Sequence, residues 1–357
     1  MKCLNCRKCE ITVTTEICPK CNVYIPALMR DTLKIGTILH NNSYKIEYPL
    51  GRGGFGITYQ ALHINLEEKV AIKEFYPNYV LRNPVTNTIM VAKPQEETFQ
   101  KNLEKFKREG RILAKLRNPN IVQVRDLFEV NNTVYLVMEL LEGHSLRDEL
   151  DKQSKGYFTI EKAKSMLESI VNALDTIHQA GIYHLDIKPD NIMVTSQERI
   201  VLIDFGSAKQ AETASRSTGS FTENYAPPEV MSRRDTVGAE SDIFELGMMF
   251  HELLTGKRIP NAMDRLYSGE TSWKVEGISS PWKELIEQAV ELKKEKRPKS
   301  VKEWWKQANN QVKVNNKPNP IVLENKSHPI PSKIEIISNP KPNLPKPVGK
   351  FEFDNKP

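Results

Sequence analysis

The chain has 357 residues, of which 39% are hydrophobic and 27% are charged, and its formal net charge is +6. This composition is typical of a soluble globular protein with a sizeable core. No stretch approaches 18 uninterrupted apolar residues and no apolar segment follows Met1, so the sequence predicts neither a membrane span nor a signal peptide and favours a cytoplasmic location. The charge excess is too small to predict a nucleic-acid partner.

Composition divides the chain into four segments. Residues 1–25 contain all five cysteines and are interpreted as a small module, with a linker over residues 26–42. Residues 43–310 alternate strand-like and helix-like patterns and are predicted to form the main domain. Residues 311–357 contain nine prolines and eight lysines without sustained periodicity, which favours an extended or disordered tail.

The cysteines are spaced as ligands of one Zn²⁺ ion, because two C-x-x-C turns offer four thiolates in tetrahedral geometry. A cytosolic chain makes disulfides the weaker interpretation. Either Cys3 and Cys6, or Cys6 and Cys9, combine with Cys18 and Cys21. The set with Cys9 is slightly favoured because its hairpin is shorter, and Cys3 is the alternative. Docking or redox sensing is a hypothesis for this module.

Tyr44 to Tyr59 reads as strand, turn, strand. The turn is a G-x-G-x-x-G sequence whose glycines are expected to let the backbone approach phosphates and adopt positive φ. Strand-forming residues follow it, so a flap between antiparallel strands fits better than the strand-to-helix turn of dinucleotide-binding folds. We call this segment the flap: Gly51, Arg52, Gly53, Gly54, Phe55 and Gly56.

A lysine and a glutamate are predicted to meet behind the flap. Val70 to Lys73 is an apolar strand that ends in an ammonium group, which needs a counter-charge if it is buried. Phe106 to Leu116 has the apolar spacing of a helix, with Glu109 near the edge of its inward face. The sequence therefore predicts a Lys73–Glu109 ion pair.

A short run from His184 to Asn191 carries the chemistry of phosphoryl transfer. Asp186 can accept a proton from an attacking hydroxyl group, and Lys188 can neutralise the phosphoryl group as it moves. Asn191 can hold a metal ion against the phosphates. A buried strand, Ile200 to Ile203, leads into an Asp-Phe-Gly sequence at Asp204.

Five motifs in this order make the chain resemble a bacterial eukaryotic-type (Hanks-type) serine/threonine protein kinase over about residues 43–308. The motifs are Gly51 to Gly56, Val70 to Lys73, His184 to Asn191, Asp204-Phe205-Gly206 and Pro227-Pro228-Glu229. The resemblance implies an α+β fold with two lobes, the first rich in strands and the second in helices. The cysteine module is similar to zinc ribbons that precede some bacterial kinases.

The resemblance implies an ATP site between the lobes and a Mg²⁺ ion on Asn191 and Asp204. The adenine ring would lie between Thr58, Ala71 and Met193 and bond to the backbone of Glu139 and Leu141. The implied nucleotide-binding residues are Leu50, Gly51, Arg52, Gly53, Gly54, Phe55, Gly56, Thr58, Ala71, Lys73, Met138, Glu139, Leu141, Asn191, Met193 and Asp204.

The same resemblance implies the catalytic set Asp186, Lys188, Lys73, Glu109 and Thr222, with serine and threonine side chains of proteins as acceptors. Thr222 would bond to the catalytic aspartate and lysine. Two structural supports are also implied. Asp242 would brace the catalytic loop, and Glu229 would pair with Arg297.

Three positions depart from the family pattern. Leu185 replaces the arginine that binds an activation-loop phosphate, so we predict that loop phosphorylation is not needed for activity. Pro227 replaces an alanine and is expected only to stiffen its loop. Lys73 and Glu109 are 36 positions apart, and the insertion between them is expected to be a surface loop with strands.

Two other functions fit parts of the pattern. A pseudokinase would keep the fold as a signalling scaffold, with the cysteine module for docking, but the presence of Lys73, Asp186, Asn191 and Asp204 favours turnover. A small-molecule kinase of related fold is the second alternative, and Thr222 with the Pro-Pro-Glu segment favours a polypeptide substrate. The sequence does not predict an oligomeric state.

Overall fold

A computed structural model describes residues 3–4, 9–12, 14–210, 222–232, 235–269 and 274–307. These residues form a β-rich N-terminal lobe and a helical C-terminal lobe, as the sequence predicted. The tail predicted over 311–357 lies outside the described residues. Within the described ranges, no helix is both long enough and apolar enough to cross a membrane.

The N-terminal lobe is built on an antiparallel sheet of six strands in the order β1-β2-β3-β4-β8-β7. Alternate residues point into its core, where Ile57, Tyr59 and Ala61 are fully buried. The predicted strand-turn-strand around the flap is confirmed as β2 and β3. The strands are β1 (Ile38–Leu39), β2 (Tyr44–Arg52), β3 (Gly56–His63), β4 (Glu68–Phe75), β7 (Val124–Val130) and β8 (Thr133–Glu139).

The insertion after Lys73 contains the predicted strands, β5 (Leu81–Arg82) and β6 (Ile89–Met90), which pair antiparallel. Helix α2 (Glu96–Leu113) follows and starts ten residues before the predicted segment. It lies close to the sheet at Gly110, where an added Cβ would lie 2.6 Å from the Leu127 side chain. This close approach holds the neighbouring Glu109 against the lobe.

The C-terminal lobe packs around α6, which is buried along almost its whole length. The helices of this lobe are α3 (Leu146–Asp151), α4 (Ile160–Gln179), α5 (Pro228–Met231), α6 (Ala239–Thr255), α7 (Ala262–Ser268) and α8 (Trp282–Ala289), with further helical residues over 301–307. This lobe also contains five short strands: β9 (Gly143–Ser145), β10 (Ile182–Tyr183), β11 (Ile192–Thr195), β12 (Ile200–Leu202) and β13 (Lys209–Gln210).

The cysteine module ends in a short helix, α1 (Ile25–Met29). Ile25 is buried with Cys3, Ile11 and Cys18, and Leu28 and Met29 pack against this cluster. The apolar packing of the module therefore continues past the boundary predicted at residue 25.

Candidate functional site

The run from His184 to Asn191 forms a loop between β10 and β11, and its polar side chains converge on Asp186. Lys188 donates to both carboxylate oxygens of Asp186 at 3.0 and 2.8 Å. Thr222 Oγ1 donates to Asp186 Oδ1 at 2.7 Å and lies 2.5 Å from Lys188 Nζ. Asn191 Nδ2 donates to Asp186 Oδ2 at 2.7 Å. Four predicted site residues thus form one hydrogen-bonded cluster.

Carboxylates of α6 accept hydrogen bonds from the backbone of this loop. The N–H groups of His184 and Leu185 donate to Asp242 at 2.9 and 2.8 Å, which confirms Asp242 as the predicted brace. Ile187 N–H donates to Glu245 Oε2 at 2.6 Å. Asp242 is fully buried and also contacts His178 Nε2 at 2.7 Å. A loop bonded at three amides to one helix keeps Asp186 in a fixed position.

Sequence reasoning missed Glu245 and His178 as supports. Glu245 is three residues after Asp242 on the same helix, so it lies on the same face. Burial and the nearby Asp242 carboxylate raise the pKa of Glu245 well above its usual value. The sequence signal for Glu245 was an acidic residue three positions after the predicted brace Asp242, within a largely apolar helix.

The flap joins β2 to β3, and its close approach to β4 depends on one glycine. An added Cβ at Gly56 would lie 2.4 Å from the backbone oxygen of Glu74, whereas Gly53 has open space around it. None of Gly51, Gly53, Gly54 and Gly56, all of which the structure describes, has a positive φ. The expectation of positive φ is therefore wrong for this structure, and the need for glycine at residue 56 is steric.

Lys73 and Glu109 do not pair as predicted. Lys73 Nζ lies 2.5 Å from Asp204 Oδ1, while the Glu109 carboxylate lies 3.4 Å from Lys105 Nζ. Burial raises the pKa of Glu109 to about 7, partly opposed by Lys105 and Lys73. The Asp204 side chain is 50% exposed, and the Lys73 ammonium holds its pKa well below the usual value. The Lys73 ammonium therefore pairs with the half-exposed Asp204 carboxylate, because that group stays charged at a lower desolvation cost than the buried Glu109 carboxylate.

Most of the predicted adenine-binding residues lie on paired strands. Ala71 on β4 lies opposite Met138 on β8, and Thr58 lies opposite Gly51 across β2 and β3. Met193 on β11 pairs with Ser145 on β9, the strand that follows Glu139 and Leu141 along the chain. Leu50 lies within β2, in an irregularity of its pairing with β3. The register therefore places Thr58, Ala71 and Met138 on neighbouring strands of the N-terminal sheet, and Met193 on a sheet of the C-terminal lobe.

The cysteine cluster brings three sulfur atoms together. Those of Cys3, Cys18 and Cys21 all lie within 4.8 Å of one another, and Cys3 and Cys21 are 3.9 Å apart. Cys9 Sγ lies 3.0 Å from Cys18 Sγ. Cys6, which belonged to both predicted ligand sets, lies outside the described residues. The structure thus gathers Cys3, the predicted alternative, with Cys9, Cys18 and Cys21.

Two features outside the cleft bear on the activation segment. Leu185 is 3% exposed and packs with Ala226, Val230 and Val237, an apolar cluster where the family pattern has an arginine. The predicted Glu229–Arg297 pair is confirmed and is bidentate, with distances of 2.6 and 3.0 Å. The segment after Thr222 is therefore attached to the C-terminal lobe in two ways, by apolar packing of Ala226 and Val230 on Leu185 and by the buried ion pair of Glu229.

A family model described as "Protein kinase domain" matches residues 44–310 of the chain. The chain belongs to this protein kinase family. Serine/threonine-protein kinase B of Synechocystis is 32% identical over 283 residues, which are 74% of this chain and 46% of that protein. Probable serine/threonine-protein kinase pknA2 of Bifidobacterium longum is 35% identical over 217 residues, covering 60% of this chain and 26% of that one. The chain thus spans from about a quarter to half of the curated relatives it matches.

Solved structures of kinases have the same fold. PpkA-294 in its apo form has a TM-score of 0.65 and 28% identity, and the match covers 77% of this chain and 99% of that one. The PknI kinase domain of Mycobacterium tuberculosis has a TM-score of 0.57 and 21% identity, covering 79% and 100% of the two chains. The second likeness concerns the fold alone.

Proposed function

We propose that this kinase-family chain transfers the γ-phosphoryl group of ATP to serine and threonine hydroxyls of protein substrates. The single observation that carries the proposal is the cluster that Asp186, Lys188 and Asn191, on a loop held by Asp242, form with Thr222 from a later segment. Phosphoryl transfer requires mainly positioning and charge stabilisation. The loop supplies the first through its backbone bonds to Asp242 and Glu245, and the second through Lys188.

The proposed reaction uses the chain's own groups as follows. Asp186 orients the acceptor hydroxyl and takes its proton, and Lys188, already bonded to that carboxylate, stabilises the charge on the transferred group. Lys73 would bind the α- and β-phosphates beneath the flap. Its charge partly opposes the burial that raises the pKa of Glu109.

Asn191 and Asp204 fit the Mg²⁺ ion that the family implies. The Asn191 amide nitrogen is committed to Asp186, which leaves its oxygen as a ligand. The Asp204 carboxylate is half exposed and remains charged beside Lys73. Oxygen donors of this kind suit a hard cation, which would neutralise charge on the phosphates.

The proposal is tested by incubating the full chain with γ-labelled ATP and a generic basic protein, followed by analysis of the labelled amino acids. Labelled phosphoserine and phosphothreonine are expected. The pseudokinase alternative has one observation in its favour, because the Lys73–Asp204 contact occupies two groups that the nucleotide needs. Nucleotide binding without any transfer would support that alternative. Label on a small acceptor alone would indicate a small-molecule kinase.

Activity is expected to persist without phosphorylation of the activation loop. Leu185 lies in an apolar cluster and offers no charge to a phosphate. A variant with alanine at Thr213, Ser215, Ser217, Thr218 and Ser220, all outside the described residues, should keep most of the wild-type rate in the labelling assay. Loss of nearly all activity in a folded variant would contradict this prediction.

We also propose that the cysteine module binds one structural Zn²⁺ ion. A tetrahedral site with Zn–S bonds of about 2.3 Å has sulfur atoms nearly 4 Å apart, and the Cys3–Cys21 distance is 3.9 Å. The close grouping of Cys3, Cys18 and Cys21 supports them as ligands, with Cys6 or Cys9 as the fourth.

The full chain is expected to contain one zinc per molecule by elemental analysis, because the gathered thiolates are ligands for a soft or borderline cation. The double variant Cys18→Ser, Cys21→Ser should lose it. Single variants Cys6→Ser and Cys9→Ser identify the fourth ligand, since only the true ligand lowers zinc affinity strongly. Wild-type protein purified without zinc and unable to take it up would refute the metal site.

A further inference from the structure

Asp31 connects the cysteine module to the flap. It lies two residues after α1, and its carboxylate Oδ2 is 3.3 Å from the guanidinium of Arg52. Arg52 is the last residue of β2 and precedes Gly53 of the flap. The two side chains are 17% and 24% exposed, so this ion pair is partly shielded from water.

The backbone of Asp31 is linked to β4 through Arg82 on β5. Its carbonyl accepts a hydrogen bond from Arg82 Nε at 2.9 Å, and Arg82 pairs with Glu74 at 2.6 Å. Glu74 is fully buried and directly follows Lys73 on β4. The ring of Tyr76 lies beneath both arginines, at 5.5 Å from Arg52 and 4.9 Å from Arg82.

Leu33 is linked to Glu74 as well, through the side chain of Tyr59. Leu33 N–H donates to Tyr59 Oη at 3.1 Å, and Tyr59 donates to Glu74 Oε2 at 2.9 Å. Leu33 is 1% exposed within the core of the lobe. Residues 31–33 therefore contact β2 and β3, the two strands that the flap joins. They reach Glu74, next to Lys73 on β4, only through Arg82 and Tyr59.

The same segment is joined tightly to the cysteine module. Thr32 donates to the carbonyl of Met29 through its backbone N–H and its hydroxyl, at 3.0 and 2.8 Å. Leu28 and Met29 pack on the cysteine cluster. Leu4 and Leu28 also line a cleft of about 310 Å³ whose other wall is Arg52, Gly53 and Gly54 of the flap, with Asn78. A change in the packing of the module would thus be transmitted to the flap.

We propose that Asp31 is a positioning residue for the flap, and that metal binding by the cysteine module and nucleotide binding beneath the flap are coupled through it. The inference rests on the proposed kinase function. Asp31 holds Arg52 against Tyr76 and so fixes the end of β2 before nucleotide arrives. A pre-organised flap binds its ligand more tightly, because less conformational freedom is lost on binding. Metal binding to the cysteine module is therefore expected to tighten nucleotide binding, and nucleotide binding to tighten metal binding by the same factor.

The first test is kinetic and uses the full chain. Asp31→Asn should raise KM for ATP about two- to fivefold, the range for a partly exposed ion pair, with kcat and KM for the protein substrate unchanged. Asp31→Glu should restore the wild-type value. Asp175→Asn is the matched control, because Asp175 forms an ion pair of 3.2 Å with Lys302 on the other lobe. An unchanged KM for ATP in Asp31→Asn overturns the positioning role.

A second variant protects the test against misfolding. Arg52→Gln removes the same pair from its other end, and the double variant with Asp31→Asn should raise KM for ATP no further than Arg52→Gln alone. Strictly additive effects would show that the two side chains act independently, which overturns the proposal.

The coupling is tested by binding alone. Zinc affinity is measured by competition with a chromophoric chelator, with and without a non-hydrolysable ATP analogue. In wild type the analogue should tighten zinc binding by the same factor as zinc tightens analogue binding, and Asp31→Asn should abolish both factors. The proposed coupling between metal and nucleotide binding is overturned if it persists in Asp31→Asn, or if the wild-type chain takes up no zinc.

The outcomes separate this inference from the proposed function. A chain that binds the analogue and phosphorylates protein, but shows no effect of Asp31, refutes only the inference. A chain that binds no nucleotide refutes the proposed function itself.

Discussion

Replacing Asp186 by asparagine is expected to lower kcat for phosphoryl transfer by about 10²- to 10⁴-fold, the usual contribution of a general base. The amide keeps the shape of the side chain but cannot take a proton. It also places an N–H group where Lys188 and Asn191 now donate. Nucleotide affinity should stay close to wild type, because Lys73 and the flap are unchanged. Steady-state kinetics with labelled ATP and direct titration of a nucleotide analogue measure the two quantities.

Asp175→Asn is the control for loss of a carboxylate elsewhere in the same lobe, and it should leave kcat unchanged. A residual rate of Asp186→Asn within tenfold of wild type would show that another group takes the proton. Equal loss of nucleotide affinity and kcat would show that the substitution acts through the structure of the cleft. Either result contradicts the role proposed for Asp186.

Most of the cluster around Asp186 was predictable because three of its members are close in sequence, whereas Thr222 was placed there only by the family resemblance. Asp186, Lys188 and Asn191 lie on one loop, and the backbone of a loop fixes their relative positions. The flap was predictable for a similar reason, since strand-forming residues on both sides of the glycines leave room only for a turn. These inferences needed no knowledge of tertiary contacts.

The ion pair of Lys73 could not be predicted from the sequence. Two carboxylates, those of Glu109 and Asp204, compete for the Lys73 ammonium, and the choice depends on how deeply each is buried. Glu109 is 7% exposed and has a raised pKa, whereas the half-exposed Asp204 carboxylate stays charged. Residue spacing contains no information about that difference in solvation.

The start of α2 was missed although the sequence contains its signal. Phe99, Leu103 and Phe106 follow helical spacing, and the first two are buried. Polar residues between them and Pro94 just before the helix obscured the pattern. The role of Asp31 had no such signal, because a lone aspartate in a linker acquires meaning only from Arg52 and Arg82, which come from distant parts of the chain.

Glu229→Gln is expected to destabilise the chain by about 3–5 kcal/mol, the cost of leaving a buried charge without its partner. Arg297 is 0% exposed at its side chain, and both of its terminal nitrogens bond to Glu229. Its other contacts are backbone carbonyls and the face of Phe244, which supply no compensating negative charge. The melting temperature should fall by roughly 6–20 °C for a domain of this size, measured by calorimetry with and without nucleotide.

Lys299→Gln is the matched control. It removes a neighbouring ion pair with Glu240, of 2.9 Å, in which the lysine side chain is 61% exposed. Such a pair contributes about 0–1 kcal/mol, so the melting temperature should hardly change. Equal shifts in the two variants would contradict the claim that burial makes the Glu229–Arg297 pair special. Replacing both partners by apolar residues should recover part of the lost stability, because no buried charge then remains unpaired. If that double variant is stable yet inactive, the pair positions the segment after Thr222; if it is stable and active, the pair only stabilises the fold.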